Sequence, residues 1–560
     1  ISDNGDFTFS RGSNLSATRV GPGPNHYIEK GRENLLKYSN DFSQSDWMNS
    51  QTTETSGQSG YDGSNDAWLL TATNVGGFLK NSDVSSFSGV MTISIYAKKG
   101  TADGIRLRFN QTASADVRIN LIDGSDAISA SGVISHNVTN LGSGWYRIQM
   151  TFSVSSPDDI RMYPTNSSGA VAAGTIFIQD SQAEIGLAAT EVIETGALTA
   201  QAGILEDTPR FDYSGGATCP SLLLEPSRTN LFEYSEYFGD WTNIEGNTIT
   251  ANATESPEGL QNAYSFIANT TENYHRISSG YSVTLGQSYT SSVFVKANGY
   301  DYFLFRIGGI NGSFRNAAFD LTDGTTSYLD SEFDSSSIVD YGNGWYRVTA
   351  TFTATLTGPM TTNIRFQPTD QNNSGIAQFT GDGTSGGYIY GAQQELGTYP
   401  TSYIPTYGVS QTRSVDLSSV SSMISNGIIN DEKFTFMMHL KILGRATNPQ
   451  VYLTDVSGNR IVSLNIQALN KASFYSPDAA SYIGNGTFIG DSVKIAISYN
   501  GNKFVQYVNG AKDGTLSLNI TSVINRINLN NNMLNAIDAK QVLVFKEALS
   551  ETELIKLTTI

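Results

Sequence analysis

Six short blocks occur twice in this chain, in the same order, and no other feature limits its fold as much. Arg32-Glu-Asn34-Leu35-Leu36-Lys-Tyr38-Ser39 returns as Arg228-Thr-Asn230-Leu231-Phe232-Glu-Tyr234-Ser235. A Phe and a Trp follow each copy, Phe42 and Trp47, then Phe238 and Trp241. Ser94-Ile95-Tyr96-Ala97-Lys98 matches Ser292-Val293-Phe294-Val295-Lys296, and Asp123-Gly124 matches Asp323-Gly324. Gly142-Ser-Gly144-Trp145-Tyr146-Arg147 matches Gly342-Asn-Gly344-Trp345-Tyr346-Arg347. Gln182-Ala-Glu184-Ile185-Gly186 matches Gln393-Gln-Glu395-Leu396-Gly397. Repetition of this kind means one domain built twice, over 30–196 and 226–407.

Periodicity assigns the class. Thr92-Ile93-Ser94-Ile95-Tyr96-Ala97-Lys98 alternates small or polar with apolar residues, the period-two pattern of a strand with one buried face. Residues 493–499 alternate likewise, Asn500-Gly501-Asn502 turns the chain, and 504–508 answers before Asn509-Gly510. Asn-Gly pairs supply the positive φ that tight hairpin turns need. The expected fold is all-β: two tandem antiparallel jelly-roll sandwiches, then a third β-sandwich over 408–560 with a short C-terminal helix. Ser550 with Glu553 is a capping box that starts that helix, and Leu554 and Leu557 share one of its faces. Residues 1–29 read as a docking arm. The connecting segment 197–225 carries Phe211, Tyr213, Leu222, Leu223 and Leu224, too apolar for a free linker. Both are expected to dock against another chain or domain.

Charge and cysteine usage remove several classes. Lys+Arg 34 against Asp+Glu 52 leaves −18, which repels phosphate, so no nucleic-acid partner is expected. No run of about 18 apolar residues occurs, so membrane insertion is not expected. The single Cys219 forbids an intrachain disulfide and any Cys-rich zinc site. The chain opens at Ile1 without a charged-then-apolar leader, which fits a processed start or a segment of a longer chain.

The repeated Arg-x-Asn-Leu…Tyr-Ser…Phe…Trp, Gly-x-Gly-Trp-Tyr-Arg and Gln-x-Glu-(Ile/Leu)-Gly blocks resemble the jelly-roll modules of tailed-phage virion proteins, themselves similar to carbohydrate-binding modules. The connecting Arg210-Phe-Asp-Tyr-Ser-Gly-Gly…Cys219-Pro-Ser-Leu-Leu-Leu-Glu-Pro-x-Arg-Thr-Asn-Leu resembles a segment recurring in phage fibre and appendage proteins. The last stretch, with Tyr-Asn-Gly-Asn-Lys-Phe…Val-Asn-Gly and Val-Phe-x-x-Ala-Leu-Ser-x-x-Glu-Leu, resembles a laminin-G/concanavalin-like sandwich. These resemblances imply a non-enzymatic virion structural protein, a head or tail fibre, appendage or decoration, presenting β modules to host-surface glycan. They imply other virion proteins as partners, a homo-oligomer (a trimer, from fibre architecture) and a place on the particle surface. A polysaccharide depolymerase or lyase and a cement protein without glycan affinity are the alternatives.

Site candidates follow from what the two copies share and where they differ. Shared tryptophans (Trp47, Trp145, Trp241, Trp345) are expected in the core, with Arg147 and Arg347 pairing locally. Where the copies differ, the fold imposes no common residue. Trp68 aligns with Tyr264, and Gly76-Gly77-Phe78-Leu79 roughly with Asn273-Tyr274-His275-Arg276. Trp68, Tyr264, Tyr274, His275 and Arg276 are therefore the glycan-binding candidates, combining stacking rings with polar groups. The resemblance also implies calcium held near the closing strand, with Glu184 and Glu395 as matched carboxylates. Catalytic strings are poor: Gly383-Thr-Ser385-Gly-Gly387 mimics a nucleophile elbow but sits in a glycine-rich insertion between strands.

Overall fold

A computed structural model of the chain describes residues 7–15, 17–18, 28–154, 158–213, 220–310, 312–369, 378–429, 432–443, 450–467, 470–520, 523–529 and 537–560; Cys219 lies outside them. The first module pairs two six-stranded sheets. One runs Asp126–Ser131, Ala115–Asn120, Gly104–Phe109, Ile160–Thr165, Phe78–Asn81 and Trp47–Ser50. The other runs Ser135–Gly142, Trp145–Val154, Gly89–Lys99, Gly174–Ile185, Ala67–Ala72 and Thr52–Gln58. The second module repeats both orders strand for strand. Its first sheet is Thr325–Leu329, Ser313–Asp320, Tyr302–Ile310, Gly358–Gln367, Arg276–Val283 and Thr242–Glu245. Its second is Phe333–Gly342, Trp345–Thr353, Ser288–Asn298, Gly386–Leu396, Ala263–Ala268 and Asn247–Thr254.

Alternation fills the space between the sheets. Met91, Ile93, Ile95 and Ala97 meet Leu107 and Met162 in the first core. The period-two signal predicted one buried face for this strand; the structure buries both, since Thr92 and Ser94 are also fully buried. The cause is residues 186–195, which fold back over the outer face. Thr92 Oγ1 donates to the Gly186 carbonyl at 2.8 Å, Thr151 Oγ1 to that of Leu187 at 3.1 Å, and Arg147 Nη2 to that of Thr190 at 2.5 Å. In the second module Thr290 Oγ1 donates to the Gly397 carbonyl at 3.0 Å. A buried hydroxyl costs little once it finds an acceptor.

The shared letters serve packing and chain fastening. Trp47, Trp145, Trp241 and Trp345 are all buried. Trp47 Nε1 donates to the Tyr38 carbonyl at 3.0 Å and Trp241 Nε1 to that of Tyr234 at 2.8 Å. Asn34 donates to the carbonyls of Ser181 and Ile193 and accepts from the amides of Leu36 and Ala183. Asn230 does the same with Ala392, Ile404, Phe232 and Gln394. Each asparagine ties the opening strand of its module to the closing strand and to the segment after it.

The third sandwich recruits strands from the far end of the chain. One seven-stranded sheet starts with Thr8–Ser10 beside Leu417–Val420; the other starts with Arg210–Asp212 and Ser221–Leu224 beside Ile537–Phe545. The docking partner of both the arm and the connecting segment is thus a domain of the same chain. Leu224 enters the third core, with Phe7, Phe9 and Leu222 packed against it. Beneath these strands lies a buried cluster of three cations and two anions. Arg210 and Arg413 reach Glu225 at 2.5 and 2.7 Å, Arg210 also bonds Asp416, and Arg11 stands 3.7 Å from Asp416. The helix Glu551–Thr558 begins with the expected capping box and packs Leu554 and Leu557 over Met437, Ala496 and Tyr507.

Candidate functional site

The two modules share a boundary across which the first supplies part of the second's core. Val90 and Leu187 of the first module belong to the core of the second. The Val90 amide donates to the Tyr407 carbonyl at 3.2 Å, and Asn252 Nδ2 donates to Ser135 Oγ at 2.8 Å and to the Leu187 carbonyl at 2.7 Å. Gly89 has φ +105° and a Cβ there would meet the Tyr407 carbonyl oxygen at 2.0 Å, so only glycine allows the approach.

A buried ion cluster forms the back of this boundary. The segment before the first module crosses to the second and places Ile28 among Phe294, Trp345, Tyr390 and Tyr403. Two residues on, Lys30 Nζ lies 2.6 Å from Glu236 and 2.9 Å from Glu258 and donates to the hydroxyls of Tyr390 and Tyr407, both at 3.0 Å. Arg32 pairs with Glu258. Two cations thus balance two carboxylates. Burial disfavours the ammonium and, against the pull of Glu236, brings Lys30 down to about 7. Burial pushes the Glu236 carboxyl up, yet Lys30 and Arg32 hold it below the usual range. Tyr390, Tyr403 and Tyr407 stay protonated because burial and Glu236 raise their phenols well above the ordinary value.

In front of the cluster opens a cavity of about 380 Å³ between the arm and both modules. Phe87, Tyr234 and Tyr407 give it aromatic walls, and Asn14, Glu33, Gln201 and Gln411 give it polar ones. Asn14 Nδ2 donates to Gln201 Oε1 at 3.0 Å, Gln201 Nε2 to Glu33 at 3.3 Å, and Thr199 Oγ1 to Glu33 at 2.7 Å. The volume falls within the range of roughly 300–1,000 Å³ usual for small-molecule sites. Rings for stacking beside amide and carboxylate groups suit a polyhydroxylated ligand.

None of the residues singled out from the sequence as glycan ligands lines this cavity. Trp68 is half-buried, edge-on to Phe42, with Nε1 on the Asn40 carbonyl at 2.9 Å. Tyr264 is 2% exposed and packs on Phe238, so neither ring face is open to a sugar. His275 is fully buried, its ring nitrogens facing the carbonyls of Gly246 and Phe379 at 2.5 and 2.8 Å; it is a tether, not a ligand. Tyr274 and Arg276 do stay partly exposed, the guanidinium 5.2 Å over the phenol ring and paired at 3.1 Å with both oxygens of Glu245.

The matched carboxylates, expected as calcium ligands, fasten the chain. Glu184 accepts from Gln182 Nε2, the Thr190 amide and Thr190 Oγ1; Glu395 accepts from Gln393 Nε2, the Thr401 amide and Thr401 Oγ1. Each glutamine oxygen then takes an amide further along, Ile193 or Ile404. Both carboxylates are satisfied by protein donors, and among the described residues no group of three or more His, Cys, Asp or Glu could hold a metal ion. The Lys30 cluster escaped the sequence reading although a signal was present. Asn40 aligns with Glu236 right after the shared Tyr-Ser, so a neutral side chain became a buried acid in the second copy.

No family model matches the chain, and no curated protein matches it closely. Among solved structures, the CBM40 of the Ruminococcus gnavus IT-sialidase bound to alpha2,3 sialyllactose is 17% identical over 24% of this chain and 86% of that one, with TM-score 0.20. The binding domain of Botulinum neurotoxin DC in complex with SialylT is 18% identical over 26% and 39%, with TM-score 0.21. Domains LG4-5 of the mouse laminin alpha1 chain are 9% identical over 48% and 88%, with TM-score 0.16. Likenesses this slight carry no argument about function; the chain's own geometry has to.

Proposed function

We propose that this protein is a glycan-binding structural component of a tailed-phage particle, without enzymatic activity, and that the cavity between its two modules holds the sugar. One observation carries the reading: three aromatic walls face a chain of amide and carboxylate groups in a cavity of about 380 Å³. The carboxylates of the ion cluster behind it are already held by Lys30 and Arg32, which favours recognition over acid–base chemistry. The particle context rests on the resemblance of the repeated blocks and the connecting segment to phage appendage proteins. In that setting the stiff modules present the cavity to a host-surface glycan, other virion proteins anchor the chain, and copies associate as a homo-oligomer, a trimer in a fibre.

A glycan array probed with the full chain tests the binding. The expected result is a defined set of bound oligosaccharides, weakened about tenfold (about 1.4 kcal/mol) by Phe87→Ala or Gln411→Ala. Val456→Ser, at a remote site that is 78% exposed, should bind as the parent does. An array without hits, or hits indifferent to both cavity variants, overturns the reading. New reducing ends appearing in a polysaccharide incubated with the protein would overturn its non-enzymatic part.

A further inference from the structure

The outer face of one sheet differs in charge between the two modules. In the first, Arg106 bonds Asp116 through Nε at 2.8 Å, Arg118 bonds the same carboxylate at 3.1 Å, and Arg161 and Lys80 bond Asp159 at 2.5 and 3.1 Å. Carboxylates stand between the cations. In the second module the same sheet carries Arg276, Arg306 and Arg365 on neighbouring strands. Arg306 pairs with Asn363, Leu304 with Arg365, and Ile277, next to Arg276, with Ile364, so Arg276 and Arg365 are level and Arg306 stands two residues along on the same face of the sheet. Where Arg108 of the first module stands opposite Asp116, Arg306 of the second stands opposite Asn316. A carboxylate position has become an amide.

Each guanidinium of the second face lies over an aromatic ring: Arg276 over Tyr274 at 5.2 Å, Arg306 over Phe314 at 4.4 Å and Arg365 over Phe379 at 5.5 Å. Glu245 bonds Arg276, and Arg306 Nε has no hydrogen-bond acceptor among the described residues. Arg365, on the strand between the other two, is 1% exposed. Burial lowers Arg365 to about 9 with Arg306 and Arg276 adding to the effect, and burial followed by Arg276 lowers Arg306. Like charges thus face one another on this sheet, in a chain whose net charge is −18. An anion placed over Arg276 and Arg306 relieves that repulsion, and guanidinium forks match planar oxyanions.

We infer that the Arg276–Arg306 face of the second module binds the anionic groups, carboxylate or sulfate, of an acidic saccharide. The inference rests on the glycan-binding reading for its saccharide part but uses a site apart from the cavity. The test is titration of the full chain with an oligogalacturonate, a sulfated heparin oligosaccharide and a neutral dextran oligosaccharide of equal length, at low and high salt. At least one acidic ligand should bind about tenfold tighter than dextran and weaken with salt. Arg306→Gln should reduce that binding about tenfold, and Arg306→Lys less. Val456→Ser, remote from both sites, should leave it unchanged, and the cavity variants are read separately on the neutral glycans of the array, so failure of the cavity reading and failure of this one are told apart. Arg276→Gln gives a second, more exposed variant if Arg306→Gln melts early. Equal binding of acidic and neutral ligands, no binding of either acidic one, or indifference to both arginine variants overturns the inference. So does single-stranded polynucleotide binding as tightly, which would mark general attraction of polyanions.

Discussion

Replacing Asn230 with alanine should unfasten the second module. The side chain is fully buried and makes four hydrogen bonds, 3.1 Å to the Ala392 carbonyl, 2.9 Å to that of Ile404, and 3.2 and 3.1 Å from the amides of Phe232 and Gln394. Alanine leaves four buried main-chain groups without partners, and at the lower limit of about 1 kcal/mol each the loss is about 4 kcal/mol. Asn34 makes the equivalent four bonds at 3.3, 2.9, 3.1 and 3.1 Å, so Asn34→Ala should cost the first module a similar amount. All five tryptophans, at 47, 68, 145, 241 and 345, lie in the two modules, so denaturant unfolding followed by tryptophan fluorescence reports on these and not on the third sandwich. Hydrogen exchange assigns the loss to one module or the other. A cost below about 1 kcal/mol for either variant would refute the fastening role. So would loss of protection in the wrong module.

Further outcomes follow from the same structure. Lys30→Met removes the ammonium from between Glu236 and Glu258, and an uncompensated buried charge should cost about 3 kcal/mol and raise exchange at the module boundary, read by hydrogen-exchange mass spectrometry. Asp538 is 1% exposed, faces Asp212, Glu225 and Lys441, and is pushed up to about 8 by burial and then by Asp212. Its folded state keeps a proton that the unfolded chain releases above about pH 4, so stability should fall as pH rises from about 4 to about 8. Asp538→Asn should flatten that slope in denaturation curves, and an unchanged slope would remove the assignment. A chain beginning at residue 28 bares the Leu417–Val420 edge and takes Arg11 from Asp416, so its third sandwich should lose exchange protection while both modules keep theirs. Ser550→Ala deletes the helix cap and should cost about 1 kcal/mol, seen as faster exchange over Glu551–Thr558 alone.

The duplication made the module fold legible because a repeat fixes strand order twice over. Period-two alternation found the strands, and the buried tryptophans followed from their presence in both copies. The destination of the arm was not legible. Nothing local in Thr8–Ser10 says that it pairs with Leu417–Val420, since strand pairing across hundreds of residues leaves no periodic trace. Comparing the copies pointed to Tyr274 and Arg276, which stay partly exposed, and also to Tyr264 and His275, which are buried and differ from their counterparts for reasons of packing. Glu184 and Glu395 entered as calcium candidates through the family resemblance alone; the sequence could not reveal that a threonine six residues on binds each carboxylate. The cavity draws on residues from 14 to 411, so only the folded chain assembles it.

The most direct test is a crystal structure of the full chain with the oligosaccharide bound most tightly on the array. Sugar density should lie between Phe87, Tyr234 and Tyr407, with hydroxyls on Gln201 or Gln411. Density at any other place, with that cavity holding solvent alone, would contradict the proposed site.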